Sequence, residues 1–360
     1  MVFIGGPRQV GKTTLSLQIL KPAKTTNPNY LNWDNNTDKS LILKNQIPFS
    51  GKITVLDEIH KYRLWRNLLK GLYDKFHTEH KFIVTGSARL DYYRRGGDSL
   101  LGRYRYFRLH PFTLPEYSSN NNQKDLDTLL KFGGFPEPLF EKNEDNHRIW
   151  IRDRMAKVVL EDLRDLENVK DVTLALLLAE ILPSKVGSPL SIKSMVEDLQ
   201  VSMPTIKRWL QLLEWMYYSY SVPPFGSAKV RAVKKLQKVY LWDWSQVEDP
   251  GARFENMVAG HLLKYCHYIE DTQGYAMQLC YLKDTDGREI DFVVLKNKKP
   301  IFAVECKTGE KNISKHIKYF QERTNIPAFY QVHMGDKTWG MPQTGRVLPF
   351  RDFCKQLGLV

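Results

Sequence analysis

Cysteine is scarce in this sequence: four residues, Cys266, Cys280, Cys306 and Cys354, are spread over 360 positions. They form no CxxC pair and have no histidines at matching spacing. That argues against a zinc ribbon or a disulfide framework and fits a reducing cytosol. Long hydrophobic runs are also missing. The most apolar stretch, Val172 to Leu182, is about half the length a bilayer span needs, and it contains Glu180. No basic, apolar, cleavable signal arrangement opens the chain, since its first apolar residues run straight into a glycine-rich loop. Internal repeats and low-complexity tracts are absent as well. The expectation is a soluble, cytoplasmic protein with no membrane partner, long enough for two or three domains.

What is present is an ordinary globular composition, 42% hydrophobic and 26% charged, with a net charge of +13. The positive excess is uneven. Residues 1–100 carry 16 Lys/Arg against 8 Asp/Glu, residues 201–250 carry 7 against 4, and residues 151–200 carry 7 against 9. Basic stretches of this kind suit a polyanionic partner such as nucleic acid. A surface charged for solubility accounts for the same numbers equally well.

The first hundred residues alternate short apolar strands with polar, helix-forming segments, the pattern of a parallel α/β sheet. Val2-Phe3-Ile4 enters the glycine loop, and Thr13 to Ile19 reads as the helix after it. Ile53 to Leu56 and Phe82 to Thr85 read as buried strands, and Tyr104 to Leu109 as an alternating one. Gly6-Pro7-Arg8-Gln9-Val10-Gly11-Lys12-Thr13, followed by Thr14, fits G-x-x-x-x-G-K-[ST] in full. The glycines let the backbone curl so that successive N–H groups point at phosphates, aided by the positive end of the next helix. Lys12 would neutralise β- and γ-phosphate charge, and the Thr13 hydroxyl would ligate magnesium. ATP and Mg2+ are the cofactors this pattern implies.

Asp57-Glu58 closes an apolar strand, where such a site needs a magnesium ligand, Asp57, and a carboxylate that orients the attacking water, Glu58. Taken alone, the same pair is an ordinary exposed turn. Ser87, at the end of the Phe82–Thr85 strand, is placed to sense the γ-phosphate or position the water. A plain helix N-cap is its other reading.

Beyond the polar stretch 118–127, residues 146–182 look helical throughout. Ser191 caps a helix through Leu199, and Ser202-Met203-Pro204 makes a turn. Thr205 then opens a second helix to about Tyr217, with Ile206, Trp209, Leu210 and Leu213 on one face. A Pro-Pro-Phe-Gly turn at 223–226 leads to a basic strand pair ending at Asp243. Helix–turn–helix followed by a β-wing is a winged helix. From 252 the pattern becomes a helix (Phe254 to Tyr265), strands at 275–282, 289–295 and 300–306, and a helix at 312–323.

Several segments together resemble the large bacterial and archaeal family of AAA-type P-loop ATPases that carry a C-terminal domain of unknown function. They are GPRQVGKTT at 6–14, LDEIHK at 56–61, TGSAR at 85–89, LLGRYRYFRLHPFTLPEY at 100–117 and GGFPEP at 133–138. KVYLWD at 238–243, ARFENMVAGHLL at 252–263, and GREIDFVV with AVECK within 287–307 extend the likeness over almost the whole chain. The resemblance implies an ATPase core over 1–145, a helical linker and winged helix over 146–245, and a restriction-endonuclease-like fold over 246–360. It also implies a few dozen residues ahead of the P-loop that help cover the adenine, where this sequence has five. In AAA-type ATPases an arginine placed like Arg103 reaches into the neighbouring subunit and stabilises charge on the transferring phosphoryl group. A homo-oligomer follows from that reading; a solvated arginine is the plainer one.

Near the C-terminus, strand alternation puts Glu305 and Lys307 on one face, with Asp291 beside them on the preceding strand. Two carboxylates can hold magnesium while a lysine steadies or deprotonates a water for attack on a phosphodiester. Glu255 would be a third metal-binding carboxylate. The D–x13–E–x–K spacing is similar to the PD-(D/E)xK nuclease core. A surface ion pair explains the same residues. For DNA, the basic segment supplies Lys229, Arg231, Lys234, Lys235 and Lys238 as phosphate contacts on the wing, while Thr205, Lys207 and Arg208 open the helix that would enter a major groove. Trp209, Trp215 and the tyrosine run 217–220 read as core.

The expectation is therefore an α/β chain: a P-loop NTPase sheet, a winged helix and a PD-(D/E)xK-like domain. Its function would be Mg-dependent, oligomeric ATP hydrolysis coupled to DNA binding, with nuclease activity left open by the sequence. The alternative is a nucleotide-gated switch or scaffold with little turnover and a non-cleaving C-terminal domain.

Overall fold

The computed structural model describes residues 1–87, 100–118, 120, 122–158, 172–226 and 236–358. It divides into two compact units. One is Met1–Pro111 with Trp215–Tyr217, and the other is Phe112–Glu214 with Tyr218–Val360.

In the first unit the apolar runs read from the sequence become a five-stranded sheet: β1 (Val2–Gly5), β2 (Tyr30–Asn32), β3 (Ile53–Asp57), β4 (Lys81–Gly86) and β5 (Arg105–Arg108). Their spatial order is β2-β3-β4-β1-β5 and every pairing is parallel. Continuous rather than alternating hydrophobicity follows from burial on both faces. Phe3, Leu56 and Val84 pack one way, with Trp65 and Leu69 of the Trp65–Phe76 helix, and Ile4, Val55 and Ile83 pack the other way with Leu20. Parallel register sets Gly5 beside Gly86 and brings the ends of β1, β3 and β4 to one edge of the sheet. In an open parallel sheet that edge is where ligands bind.

The second unit begins at Phe112, well ahead of residue 145. The reason lies in its hydrogen bonds: the Leu114 N–H donates to His261 Nε2 at 2.9 Å and the Trp244 indole donates to the Leu129 carbonyl at 2.9 Å. Of the stretch 146–182 expected to be helical throughout, the described part includes the helices Glu144–Ala156 and Val172–Ile181, and residues 159–171 lie outside the described residues. The two helices expected next are Ile192–Leu199, capped by Ser191, and Met203–Trp215; Met203 and Pro204, expected in the turn, instead form the first turn of the second helix, which ends at Trp215 rather than near Tyr217. Its buried face is Ile206, Trp209, Leu212 and Leu213. Leu210 is only half-buried, because helical twist puts it a quarter turn off that stripe. Strands β6 (Ser219–Val222) and β7 (Lys238–Leu241) pair antiparallel behind it. Tyr218 and Tyr220 are buried, as is Tyr217 of the first unit, whereas Trp215, also read as core, is only half-buried.

The C-terminal strands fall where alternation puts them: β8 (Met277–Lys283), β9 (Glu289–Lys296) and β10 (Lys299–Cys306). With β11 (Phe329–His333), β12 (Trp339–Met341) and β13 (Gly345–Pro349) they make a mixed sheet ordered β12-β13-β11-β10-β9-β8. The helix expected at 254–265 runs from Pro250 to Gln273, capped by the Asp249 side chain. Among the described residues no helix is long and apolar enough to cross a membrane.

Asn256 ties this helix to β7. Its Oδ1 accepts from the Leu241 N–H at 2.9 Å and its Nδ2 donates to the Leu241 carbonyl at 2.8 Å, in a fully buried setting. Replacing Asn256 with Ala strands both backbone groups without water. The expected loss is about 2–4 kcal/mol of stability, read as a lowered urea midpoint with an unchanged m-value.

Candidate active site

The loop after β1 needs backbone that few residues adopt. Gln9 and Gly11 have φ of 62° and 100°. A Cβ on Gly6 would lie 2.3 Å from the Leu109 carbonyl oxygen, whereas one on Gly11 would meet nothing within 4 Å. Gly6 is therefore required by packing, and Gly11 by its left-handed backbone beside open space. Lys12 and Thr13 open the helix Lys12–Ile19. The Lys12 ammonium donates to the carbonyls of Gly6 at 3.0 Å and Pro7 at 2.6 Å, so the lysine lies folded along the loop it serves. Val10 is buried and Thr14 is exposed on the outer side of the helix.

Asp57, at the tip of β3, is 2% exposed and gathers three hydroxyls. Thr13 Oγ1 donates to Oδ2 at 2.8 Å and the Tyr30 hydroxyl donates to the same oxygen at 2.6 Å, while Thr85 Oγ1 donates to Oδ1. Burial and then Asp57 itself hold the Tyr30 phenol above its usual range, so it stays a donor. Sequence reasoning found Thr13 and Asp57 but missed Tyr30 and Thr85. Thr85 left a weak signal, a hydroxyl among apolar residues at a strand end; Tyr30 left none.

Glu58 follows in a left-handed conformation, φ 56° and ψ 22°. For a glutamate this costs on the order of 1–3 kcal/mol and marks a constrained position. Ser87 Oγ donates to Glu58 Oε2 at 3.2 Å, and His60 Nε2 stands 3.7 Å from the same oxygen. Burial lowers the His60 pKa, which keeps this ring neutral at pH 7. Ser87 is thus brought to Glu58. Arg103 pairs with Asp74 within the chain, Nε to Oδ1 at 2.8 Å, with both side chains partly exposed.

The donor set suits a magnesium–nucleotide complex. The space in front of Gly11, an oxygen-only pair in Thr13 and Asp57, and a buried cationic Lys12 are the requirements of a triphosphate with a hard divalent ion.

A second polar cluster lies in the other unit. Continuing the antiparallel register past Val304↔Phe292 sets Glu305 beside Asp291. The Lys307 ammonium meets Glu305 Oε1 at 2.6 Å, and Asp291 Oδ2 accepts the Cys306 N–H at 2.7 Å. Burial and then Asp291 push the Glu305 carboxyl up to about 8. Glu255, accepting from the Tyr240 hydroxyl at 2.6 Å, is raised by the same two causes to about 7. Two expectations are corrected here. Lys238 is fully buried, 3.1 Å from Glu255 Oε1, 3.9 Å from Asp291 Oδ1 and in direct contact with Glu289. It cannot follow DNA phosphates. Nor do Glu255, Asp291 and Glu305 form a metal cage: among the described residues no three His, Cys, Asp or Glu side chains are grouped to hold an ion. Glu289 and Tyr240 were not anticipated.

Of the other expected DNA contacts, Lys207 and Arg208 are exposed on the Met203–Trp215 helix, and Thr205 bonds Ser202 at its start. Lys229, Arg231, Lys234 and Lys235 lie outside the described residues.

The Asp57 geometry yields a prediction. Tyr30→Phe removes one donor from a buried carboxylate that keeps two others. Expected are a melting point lower by a few degrees, about 1–2 kcal/mol, and weaker Mg-dependent ATP-analogue binding, both measurable by calorimetry. Unchanged binding with the analogue would show that the phenol has no part in holding Asp57.

Residues 1–118 match the family model described as AAA domain, residues 123–247 a domain of unknown function (DUF8612), and residues 250–353 another (DUF4143). Two uncharacterised proteins of Methanocaldococcus jannaschii are 25% and 22% identical, over 94% and 89% of this chain and 81% and 77% of their own lengths. An uncharacterised protein of Mycobacterium tuberculosis is 25% identical over 68% of this chain and 54% of its own length. Among solved structures, the Aeropyrum pernix ORC1 protein in complex with DNA aligns at TM-score 0.33 and 15% identity, covering 72% of this chain and 86% of that one. The Bacillus subtilis DNA clamp loader delta protein aligns at 0.26 and 13%, covering 59% and 83%. The parallel sheet and the glycine loop after β1 are in keeping with the AAA domain model that residues 1–118 match.

Proposed function

We propose that this chain is a magnesium-dependent ATPase of the AAA type that works in the cytoplasm as a homo-oligomer and couples its nucleotide state to DNA engagement. The observation that carries the reading is the meeting of Thr13, Asp57, Glu58 and Ser87 at one sheet edge beside Lys12. Lys12 exchanges the Gly6 and Pro7 carbonyls for phosphate oxygens, a change of partner for a cation that is already buried. Thr13 and Asp57 would hold magnesium, which would supply charge neutralisation at the β- and γ-phosphates. Tyr30 and Thr85 keep Asp57 in place. Glu58 accepts a proton from, and orients, the attacking water. Ser87 fixes the Glu58 carboxylate through its hydroxyl. Arg103 is the residue we assign to a neighbouring subunit's site, a role that requires it to leave Asp74.

DNA engagement rests on less. Its support is the basic stretch around 201–250 and the two exposed cations, Lys207 and Arg208, near the start of the second helix of a helix–turn–helix. A winged helix is our reading of that arrangement, and a restriction-endonuclease-like fold our reading of the C-terminal sheet. Cleavage is not proposed, because the carboxylates expected to hold its metal are not grouped for that purpose.

The test is ATP turnover with and without DNA. Lys12→Ala should abolish ATP-analogue binding. Glu58→Gln should keep binding and lose at least ~10²-fold in turnover, since only the water-activating group is gone. Turnover at the wild-type rate in Glu58→Gln would refute the assignment of the water-orienting carboxylate. DNA should stimulate wild-type turnover at low salt, and Lys207→Ala with Arg208→Ala should reduce that stimulation and flatten its salt dependence. Stimulation that ignores salt would point to a partner other than DNA.

A further inference from the structure

Of the three carboxylates that the sequence pattern assigned to a divalent cation, two, Glu255 and Asp291, instead face a side chain of the chain itself. Lys238, the first residue of β7, contacts Glu255 from the Pro250–Gln273 helix and Glu289 and Asp291 from β9. It has no exposed surface, and its ammonium also lies 5.5 Å from the Tyr281 ring centre. Burying a lysine is costly unless anions surround it, and burying carboxylates is costly unless a cation does. Each side of this arrangement therefore requires the other.

The charges nearly close without an added ion. Glu255, Glu289, Asp291 and Glu305 contribute four carboxylates, and Lys238, Lys283 and Lys307 supply three ammonium groups through contacts with them. A divalent ion placed among these groups would overcompensate them, and it would have to compete with an ammonium already in contact. Mg2+ and Mn2+ also demand near-octahedral oxygen ligation, which no three of these side chains are grouped to begin.

We propose that Lys238 is the resident cation of this cluster, so that the C-terminal unit takes no divalent ion there and is held together by the lysine. β7 is thereby fastened to the long helix and to β9 by charge as well as by the Asn256 bridge. The site is a metal-independent ionic core, and phosphodiester cleavage by it is not to be expected.

The test uses the full chain free of nucleotide, with Mn2+ as the probe. Electron paramagnetic resonance of free Mn2+ should show no bound ion that disappears in Asp291→Asn. Lys238→Met should melt roughly 10 °C lower than wild type, because three carboxylates lose their buried partner. Adding Glu289→Gln to Lys238→Met should recover part of that loss, which a mere packing defect would not do. The proposal is overturned if wild type binds Mn2+ in a manner abolished by Asp291→Asn. It is equally overturned if Lys238→Met melts like wild type, or if the double variant is no more stable than the single one. Should Lys238→Met fail to fold, recovery of a folded double variant supports the proposal, and failure of both overturns it.

Discussion

One buried carboxylate organises the nucleotide end of this protein. Asp57 accepts hydrogen bonds from the helix after the P-loop, from β2 and from the end of β4, through Thr13, Tyr30 and Thr85. At 2% exposure it has little water to solvate it, so its charge is compensated by these donors, which must hold their places. The loop, the two neighbouring strands and the Glu58 turn are thereby fixed relative to a single anion. Catalytic geometry in such a site is a matter of preorganisation, because a dipole already in position costs nothing to reorient when charge moves.

The adjoining residue shows the complementary situation. Glu58 sits in a backbone conformation that glutamate rarely adopts, and its carboxylate is met by Ser87 and approached by His60. Its carboxylate has one hydrogen-bond donor where Asp57 has three, so it is held less tightly. Asp57 has no such freedom. The same strand tip thus carries one anion held by three hydroxyls and, next to it, one held by a single serine.

The second unit uses buried charge for a different end. Around Lys238, Glu255, Glu289 and Asp291 come from a helix and a strand that are distant in sequence from β7. Ion pairs of this kind add little net stability over a well-packed apolar core, but losing one partner is severe. They hold one arrangement in place more than they add to its total stability. Like Asn256, which satisfies both backbone groups of Leu241, they specify how β7 meets the rest of the unit.

The P-loop, the acidic strand tip and most strands were legible from the residues because each rests on local rules: glycine where the backbone must curl, unbroken apolar runs where a strand is covered on both faces, alternation where it is not. Tyr30 was not legible, since a tyrosine in a short strand has no local mark that it will face Asp57 across the sheet. Lys238 was misread for the same reason. In the sequence it is one more cation of a basic stretch, and only the folding of residues 255, 289 and 291 around it turned a surface charge into a buried one. The sequence by itself determined which segments are strands and helices and where phosphates would be cradled, because those depend on near neighbours. Tertiary structure alone decided which charges are buried together, because desolvation and Coulomb attraction act between groups that only the finished fold brings within reach.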